Sequence, residues 1–309
     1  MRTKIHYTGL ILGPVFFLVI LFLDLEPGRP VVTRMAAVAV LMAVWWITEA
    51  IPLAATALIP MVFFPLLGIL KGKATAQTYM NSTILLFVGG FMIALAMERW
   101  RLHKRIALVI IRFIGGGPSR IVLGFMVAAW FLSMWISNTA TAIMMLPIGM
   151  AIVSKMEEQF GEMKSHSFTV ALMLGIAYAC SAGGIATLVG TPPNLVLQRV
   201  FELTFPGAPP LSFGQWFLLG FPLSVILGGT IWLLLTRVFF RFPEEIRIDR
   251  KIVEREYLGL GPVSHEEKIV GMVFACTALL WIFRKNLMLG FATIPGWSGL
   301  LPFPGMIDD

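Results

Sequence analysis

Apolar residues come in long runs along this chain, and polar residues are confined to short segments between them. The runs cover about 8–23, 34–51, 53–70, 82–97, 119–154, 168–197, 213–240 and 269–290. A membrane-crossing helix needs about 20 apolar residues, so most of these runs predict single spans. Pro52 divides the second run from the third, because proline lacks the backbone donor a helix requires. Trp45 and Trp46, near the end of the second run, suit a belt at headgroup level. From Glu98 to Arg105 the chain is mostly charged, and Ile106 to Ile114 is then apolar except for Arg112. That pattern predicts an amphipathic helix over 99–114 lying in the interface plane.

Two runs do not fit the single-span rule. Ile121 to Ser154 holds 34 residues without a charge, too many for one upright span and too few for two with a turn. At its centre stands Ser133-Met134-Trp135-Ile136-Ser137-Asn138-Thr139-Ala140-Thr141. The pattern predicts a re-entrant hairpin over 119–154 that turns at Ser137-Asn138-Thr139 and leaves on the side it entered. Non-helical backbone at membrane depth is tolerated only against protein or a water-filled cavity, so the turn should face a site. The run 168–197 contains Cys180-Ser181-Ala182-Gly183-Gly184 and then Gly190-Thr191-Pro192-Pro193-Asn194. Two prolines and a glycine predict a helix broken around 186–194.

Composition agrees with this reading. The 309 residues are 58% hydrophobic and 13% charged, with mean hydropathy +0.85, whereas soluble domains carry about 25% charged residues. The class is therefore an all-α multi-pass membrane protein. A formal net charge of +7 does not point to nucleic acid, since the basic residues sit in short loops. With the N-terminus cytoplasmic and the hairpin returning to that side, most of the 24 Lys and Arg residues fall on cytoplasmic segments. An upright span at 119–154 would instead place Arg237 to Lys268 outside. The expected location is the cell membrane. Asp24-Leu25-Glu26-Pro27 offers no small-residue cleavage site, so the first run is read as a retained span. Cys180 and Cys276 both lie in apolar runs, and no disulfide framework is expected.

The two interruptions also carry the candidate chemistry. A broken helix presents free N–H groups at one end and free C=O groups at the other; transporters use the first for anions and the second for small cations. Ser137, Asn138 and Thr139 are good N-cap residues at the start of the second hairpin arm. Ser133 lies one turn earlier on the same face. Ser133, Ser137, the Asn138 amide and an unwound carbonyl near Gly190 could form an oxygen cage for sodium. A cage without a carboxylate suits weak, releasable binding of a monovalent ion. The competing reading is that small and hydroxyl residues only let helices pack closely. Glu49 reads as an interfacial cap, His103 as part of a solvated face, and Gly89-Gly90 as close helix packing; Thr187 and Ser181 either line the site or pack. No HExxH, P-loop or GxSxG pattern occurs and the four histidines are scattered, so neither an enzyme nor an organic cofactor is expected.

At Ser137-Asn138-Thr139 with Gly190-Thr191-Pro192-Pro193-Asn194, the chain resembles the divalent anion:sodium symporter family of dicarboxylate, citrate and sulfate carriers. Trp46-Ile47-Thr48-Glu49-Ala50-Ile51-Pro52 and Gly89-Gly90-Phe91-Met92 also resemble that family's early helices, and the likeness runs from about 34 to 290. The resemblance implies sodium held by Ser133, Ser137, Asn138 and Gly190, and the substrate carboxylate touched by Asn138, Thr139 and Thr191. It further implies a homodimer in the lipid bilayer that moves its cargo by an elevator-like shift of a transport domain against a scaffold.

The family is built from two inverted repeats, each with its own Ser-Asn-Thr hairpin; this chain contains one such motif. The expected division is therefore a first span and loop over 1–33, a first repeat over 34–240, and a loop, further span and incomplete second repeat over 241–309. The expected function is sodium-coupled symport of small dicarboxylates such as succinate, by a chain read as an incomplete part of a transporter. Alternatives are a sulfate or other inorganic anion carrier, a sodium-independent anion exchanger, and a non-transporting fragment or assembly subunit. A membrane enzyme using Glu49 or His103 is disfavoured, because neither lies near the polar hairpin tip in sequence.

Overall fold

The computed structural model describes residues 4–114, 116–209, 211–240, 242, 251–289 and 292–303; the side chains of 162, 164, 251 and 252 lie outside that description. Of the loop expected after residue 240, residues 241 and 243–250 lie outside the described residues, as do 304–309, and the described part contains a helix at Lys251–Leu258. Six described helical segments are long and apolar enough to cross a membrane, and the only strands among the described residues are two-residue pieces. The all-α multi-pass class holds. The chain divides into two compact units, one up to Ile84 and one from Leu85 onward.

The first unit contains α1 (Lys4–Leu21), α2 (Pro30–Thr48), α3 (Leu53–Ala57), α4 (Ile59–Leu66) and α5 (Gly72–Tyr79). Helices α1 and α2 pack through small residues: Gly9 lies against the Thr48 side chain and Gly13 against the Trp45 indole. Phe17, Ala37, Val38, Leu41 and Ile59 form the buried core here. Glu49 caps α2 in the left-handed conformation at φ 48°, its N–H donating to the Trp45 carbonyl, so the residue read as a cap does stand at a helix end. The run 53–70 is not one long helix, because Pro60 opens α4 and Pro65 lies in its last turn.

The second unit begins within α6 (Ser82–Arg99) and continues through α7 (Leu102–Ile114), α8 (Pro118–Ser133), α9 (Asn138–Phe160), α10 (Glu162–Ile185), α11 (Pro192–Thr204) and α12 (Phe213–Leu233), which runs into a π-helical turn at Leu234–Phe239. Helices α13 (Lys251–Leu258) and α14 (His265–Ile282) follow, then β1 (Leu287–Met288) paired antiparallel with β2 (Thr293–Ile294). The run expected over 269–290 thus leaves helical structure at Ile282, just before Arg284 and Lys285.

Helix α8 is the centre of this unit. Val122, Phe125, Ala128, Ala129 and Leu132 are buried together with Phe168 and Leu172 of α10. Within a membrane such packing rests on close van der Waals contact rather than on removal from water, and small residues allow the backbones near enough to make it. A Cβ added to Gly124 of α8 would come 3.3 Å from the Ile111 Cα of α7. Gly183 of α10 likewise has the Trp130 carbonyl of α8 in its side-chain space. Helix α12 is tied to α10 by Ser224 Oγ, which donates to the Ala182 carbonyl at 2.7 Å, and by Trp216 Nε1, which donates to the Ile185 carbonyl at 3.0 Å.

One expectation fails on α7. His103 is not on a solvated face: it is buried, and its Nδ1 bonds the Met97 carbonyl at 2.9 Å. Burial lowers its pKa from the ordinary value, against the opposing pull of that hydrogen bond. The helix is amphipathic, but on its basic side Arg105 is buried against a later part of the chain, while Lys104 and Arg112 stay accessible in ion pairs with Glu256 and Glu254. Of the two glycines read as packing residues, Gly90 meets Val189, where a Cβ would lie 3.3 Å from its side chain, and Gly89 has open space.

Candidate functional site

Helix α8 stops at Ser133 and α9 starts at Asn138, so the first interruption is a tight turn over 134–137. Ser137 adopts the extended N-cap conformation at φ −55°, ψ 143°, and its Oγ accepts from the Ala140 N–H at 3.3 Å. This is one of the donors that a helix start leaves unsatisfied. Ser133 Oγ donates to Asn138 Oδ1 at 2.6 Å across the turn. The amide oxygen is thereby fixed beside the hydroxyl rather than left to rotate.

The second interruption runs from Ala186 to Thr191, between α10 and α11. Pro192 and Pro193 occupy the first positions of α11, where a missing N–H costs nothing. The break is closed from within. Asn194 Nδ2 donates to the Gly184 carbonyl at 2.8 Å and to the Thr187 carbonyl at 2.7 Å. The Gly190 N–H donates to Thr187 Oγ1 at 3.1 Å.

The two interruptions meet. Thr187 Oγ1, fully buried, donates to the Met134 carbonyl of the hairpin turn. A Cβ on Gly190 would lie 2.6 Å from the Gly184 carbonyl oxygen and 3.0 Å from that of Met134. A Cβ on Gly184 would fall 2.5 Å from Asn138 Oδ1. Both positions therefore admit only glycine without displacing backbone or the site amide. The result is a row of neutral oxygens: the Met134 and Gly184 carbonyls lie against Gly190, and the hydrogen-bonded Asn138 and Ser133 side chains continue from Gly184. No charged residue occurs in 133–141 or 183–194.

Of the six residues expected from sequence, Ser133 and Asn138 are hydrogen-bonded to each other, and Gly190 is brought against both interruptions through Met134 and Gly184. Ser137 caps α9 one residue away. Thr139 is exposed and Thr191 half-buried; among the described residues, neither side chain is hydrogen-bonded to the other four. Two residues bridge the structure that the sequence does not single out: Thr187, which reads there as either lining or packing, and Gly184, one of a small-residue stretch. Asn194 reads in sequence as part of a helix breaker, whereas its amide is what closes the break. Ser181 is exposed and, among the described residues, bonds its own helix at the Ala177 carbonyl.

The arrangement can do two things chemically. Neutral oxygens can replace part of the hydration shell of a hard cation. The N-terminus of α9 supplies free N–H groups and a positive helix-dipole end for an anion; α11, whose Pro192 and Pro193 lack an N–H and whose Asn194 N–H bonds the Thr191 carbonyl, offers the dipole end alone. The profile of the family described as "Sodium:sulfate symporter transmembrane region" matches residues 4–300. The chain belongs to this family. It is 42% identical over 289 residues to "Sodium-dependent dicarboxylate transporter SdcS" of Staphylococcus aureus strain NCTC 8325 / PS 47, covering 91% of this chain and 55% of the relative. It is 41% identical over 286 residues to the transporter of the same name from the bovine strain RF122 / ET3-1, with the same coverage. The chain spans about half the length of these curated relatives.

Proposed function

We propose that this chain takes part in sodium-coupled transport of a small dicarboxylate across the cell membrane. Sodium is held by Ser133, Ser137, Asn138 and the backbone at Gly190, and a substrate carboxylate contacts Asn138, Thr139 and Thr191. The observation that carries the reading is the meeting of two helix interruptions around uncharged oxygens, with Asn138 shared between the two roles. The names of the similar transporters support sodium and a dicarboxylate; the family description keeps sulfate as the second cargo, since a hydroxyl and a helix N-terminus suit either anion.

Coupling follows from the geometry. Sodium fixes Asn138 Oδ1 together with Ser133, which sets the direction of the amide N–H₂ that the anion meets. By linkage, the anion must then raise sodium affinity by the same factor that sodium raises anion affinity. On this reading the hairpin 119–154 is re-entrant with its ends cytoplasmic, the N-terminus is cytoplasmic, and the protein works as a homodimer with an elevator-type displacement. Residues 34–240 then form the first of two repeats.

The deciding measurement is uptake of labelled succinate into proteoliposomes, with a sodium gradient and with choline in its place. Asn138→Ala should abolish the sodium-dependent component. Sodium-dependent uptake undiminished by that substitution would sink the assignment, and sodium-dependent sulfate uptake in place of succinate would select the second cargo.

A further inference from the structure

Away from the two interruptions, the described residues hold one ion pair with both side chains buried: Arg105 of α7 and Glu267 of α14, at 8% and 6% exposure. Arg105 Nε donates to Glu267 Oε1 at 3.0 Å and its Nη2 to Oε2 at 3.1 Å, a two-point fork. Its remaining donors reach the Gly261 carbonyl at 3.1 Å and the Pro262 carbonyl at 3.3 Å. Glu267 also accepts from the Ser264 N–H at 2.8 Å, in a capping box that fixes the start of α14. Burial would raise the Glu267 pKa, but Arg105 and the Ser264 N–H together hold it below the usual carboxylate value. Both guanidinium groups of α7, Arg105 and Arg112, lie over the Tyr257 ring, at 5.7 and 5.6 Å. Exposed pairs Lys104–Glu256 and Arg112–Glu254 complete the seam.

A buried ion pair contributes little net stability compared with apolar side chains of the same volume, yet it fixes geometry because removing either partner strands a charge. What it fixes here is α7. That helix lies backbone against backbone on α8, where a Cβ on Gly124 would come 3.3 Å from Ile111 Cα and 3.6 Å from the Ile111 carbonyl oxygen. Helix α8 in turn ends at Ser133, whose hydroxyl orients Asn138. A continuous path of close contacts thus leads from Glu267 through Arg105, Ile111 and Gly124 to the hairpin turn.

We propose that Arg105 and Glu267 are positioning residues for the cation cage, clamping α7 so that α8 presents Ser133 at the distance Asn138 requires. This rests on the sodium site proposed above. Neither residue touches the ion; the clamp acts through the register of α7 on α8.

The test is equilibrium binding of radiolabelled sodium to the purified chain, with Arg105→Lys, Glu267→Gln, Gly124→Ala and Lys104→Gln compared with wild type. Arg105→Lys keeps the charge and the packing but loses the fork, so it folds even where Glu267→Gln does not. Both clamp variants should raise half-saturating sodium about fivefold, the scale of coupling through a packed network. Gly124→Ala, which alters only the α7–α8 contact, should shift it in the same direction. Lys104→Gln, in an exposed pair, should leave it unchanged. Lowered melting temperature with unchanged half-saturation in Arg105→Lys would reduce the pair to a structural one and overturn the inference. An equal shift in Lys104→Gln would overturn it as well. Wild-type protein that binds no sodium overturns the sodium site itself, and the clamp's role with it.

Discussion

The two helix interruptions of the second unit solve the same problem in different ways. Between α10 and α11 the polar backbone is closed by the protein itself: Asn194 supplies two donors to exposed carbonyls, and Thr187 serves a carbonyl and an N–H. Gly184, Thr187, Gly190 and Asn194 are all buried. Between α8 and α9 the turn is only half closed. Ser137 and Asn138 are partly accessible and Thr139 is exposed. A buried polar group without a partner costs about 1–3 kcal/mol, so the α10–α11 interruption is complete without a ligand. The α8–α9 turn keeps lone pairs and N–H groups available for one. On the function proposed above, the α10–α11 break is the support and the turn between α8 and α9 the face that would meet ions.

The sharpest way to break that division is to fill the space between its parts. Gly190→Ala places a methyl against the Gly184 and Met134 carbonyls, and Gly184→Ala places one against Asn138 Oδ1. Overpacking of this kind costs about 1–3 kcal/mol. Because backbone must move in the first and the Asn138 amide in the second, sodium-dependent uptake should vanish in both. Full uptake by Gly190→Ala would mean that the two interruptions are not jointly required.

The next contrast sets two asparagines against each other. Asn194→Ala removes both buried donors of the break, leaving the Gly184 carbonyl without its side-chain partner and the Thr187 carbonyl with only the Gly190 N–H, and should lower sodium-free stability by about 1–3 kcal/mol, read from thermal unfolding in detergent. Asn138→Ala removes one partly accessible partner and should lower it by about 1 kcal/mol or less, while abolishing sodium binding. Equal losses of stability from both would erase the distinction between support and ligand face.

The same contrast explains what was legible from sequence. Ser137 is readable as a helix cap because capping is local: the hydroxyl and the N–H it serves are three residues apart. The run of 34 uncharged residues, too long for one span, pointed to an interruption by length alone, and α8 does stop at Ser133 before α9 starts at Asn138. Thr187 was not readable, because its partner at Met134 is 53 positions away, and an isolated threonine among small residues looks like packing. His103 and the basic side of α7 misled for a related reason. The acids that cover it, Glu254, Glu256 and Glu267, lie some 142–162 positions later, where no helical periodicity connects them. Local rules located the interruptions; non-local pairing decided which one is sealed.

A smaller effect separates capping from ion binding at Ser137. Replacing an N-cap serine by glycine costs only a few tenths of a kcal/mol, since glycine leaves the N-terminal N–H groups open to water. Ser137→Gly should thus unfold within about 1 °C of wild type, yet raise half-saturating sodium through loss of an oxygen. An unchanged sodium requirement would restrict Ser137 to capping and leave the cage to Ser133, Asn138 and backbone.

Thr139 carries the smallest expected change in stability and the most selective change in function. It is exposed in the first turn of α9 and makes no hydrogen bond among the described residues. Thr139→Val keeps the branched shape and removes only the hydroxyl, so stability should stay within about 0.5 kcal/mol of wild type. If the hydroxyl serves the anion alone, the concentration of succinate for half-maximal uptake should rise while that of sodium, measured at saturating succinate, stays fixed. At low succinate the sodium requirement should also rise, because linkage passes any loss of anion occupancy to the cation. A sodium requirement that rises equally at saturating succinate would place Thr139 in the cage, and the hairpin turn would then be one shared site rather than two adjoining ones.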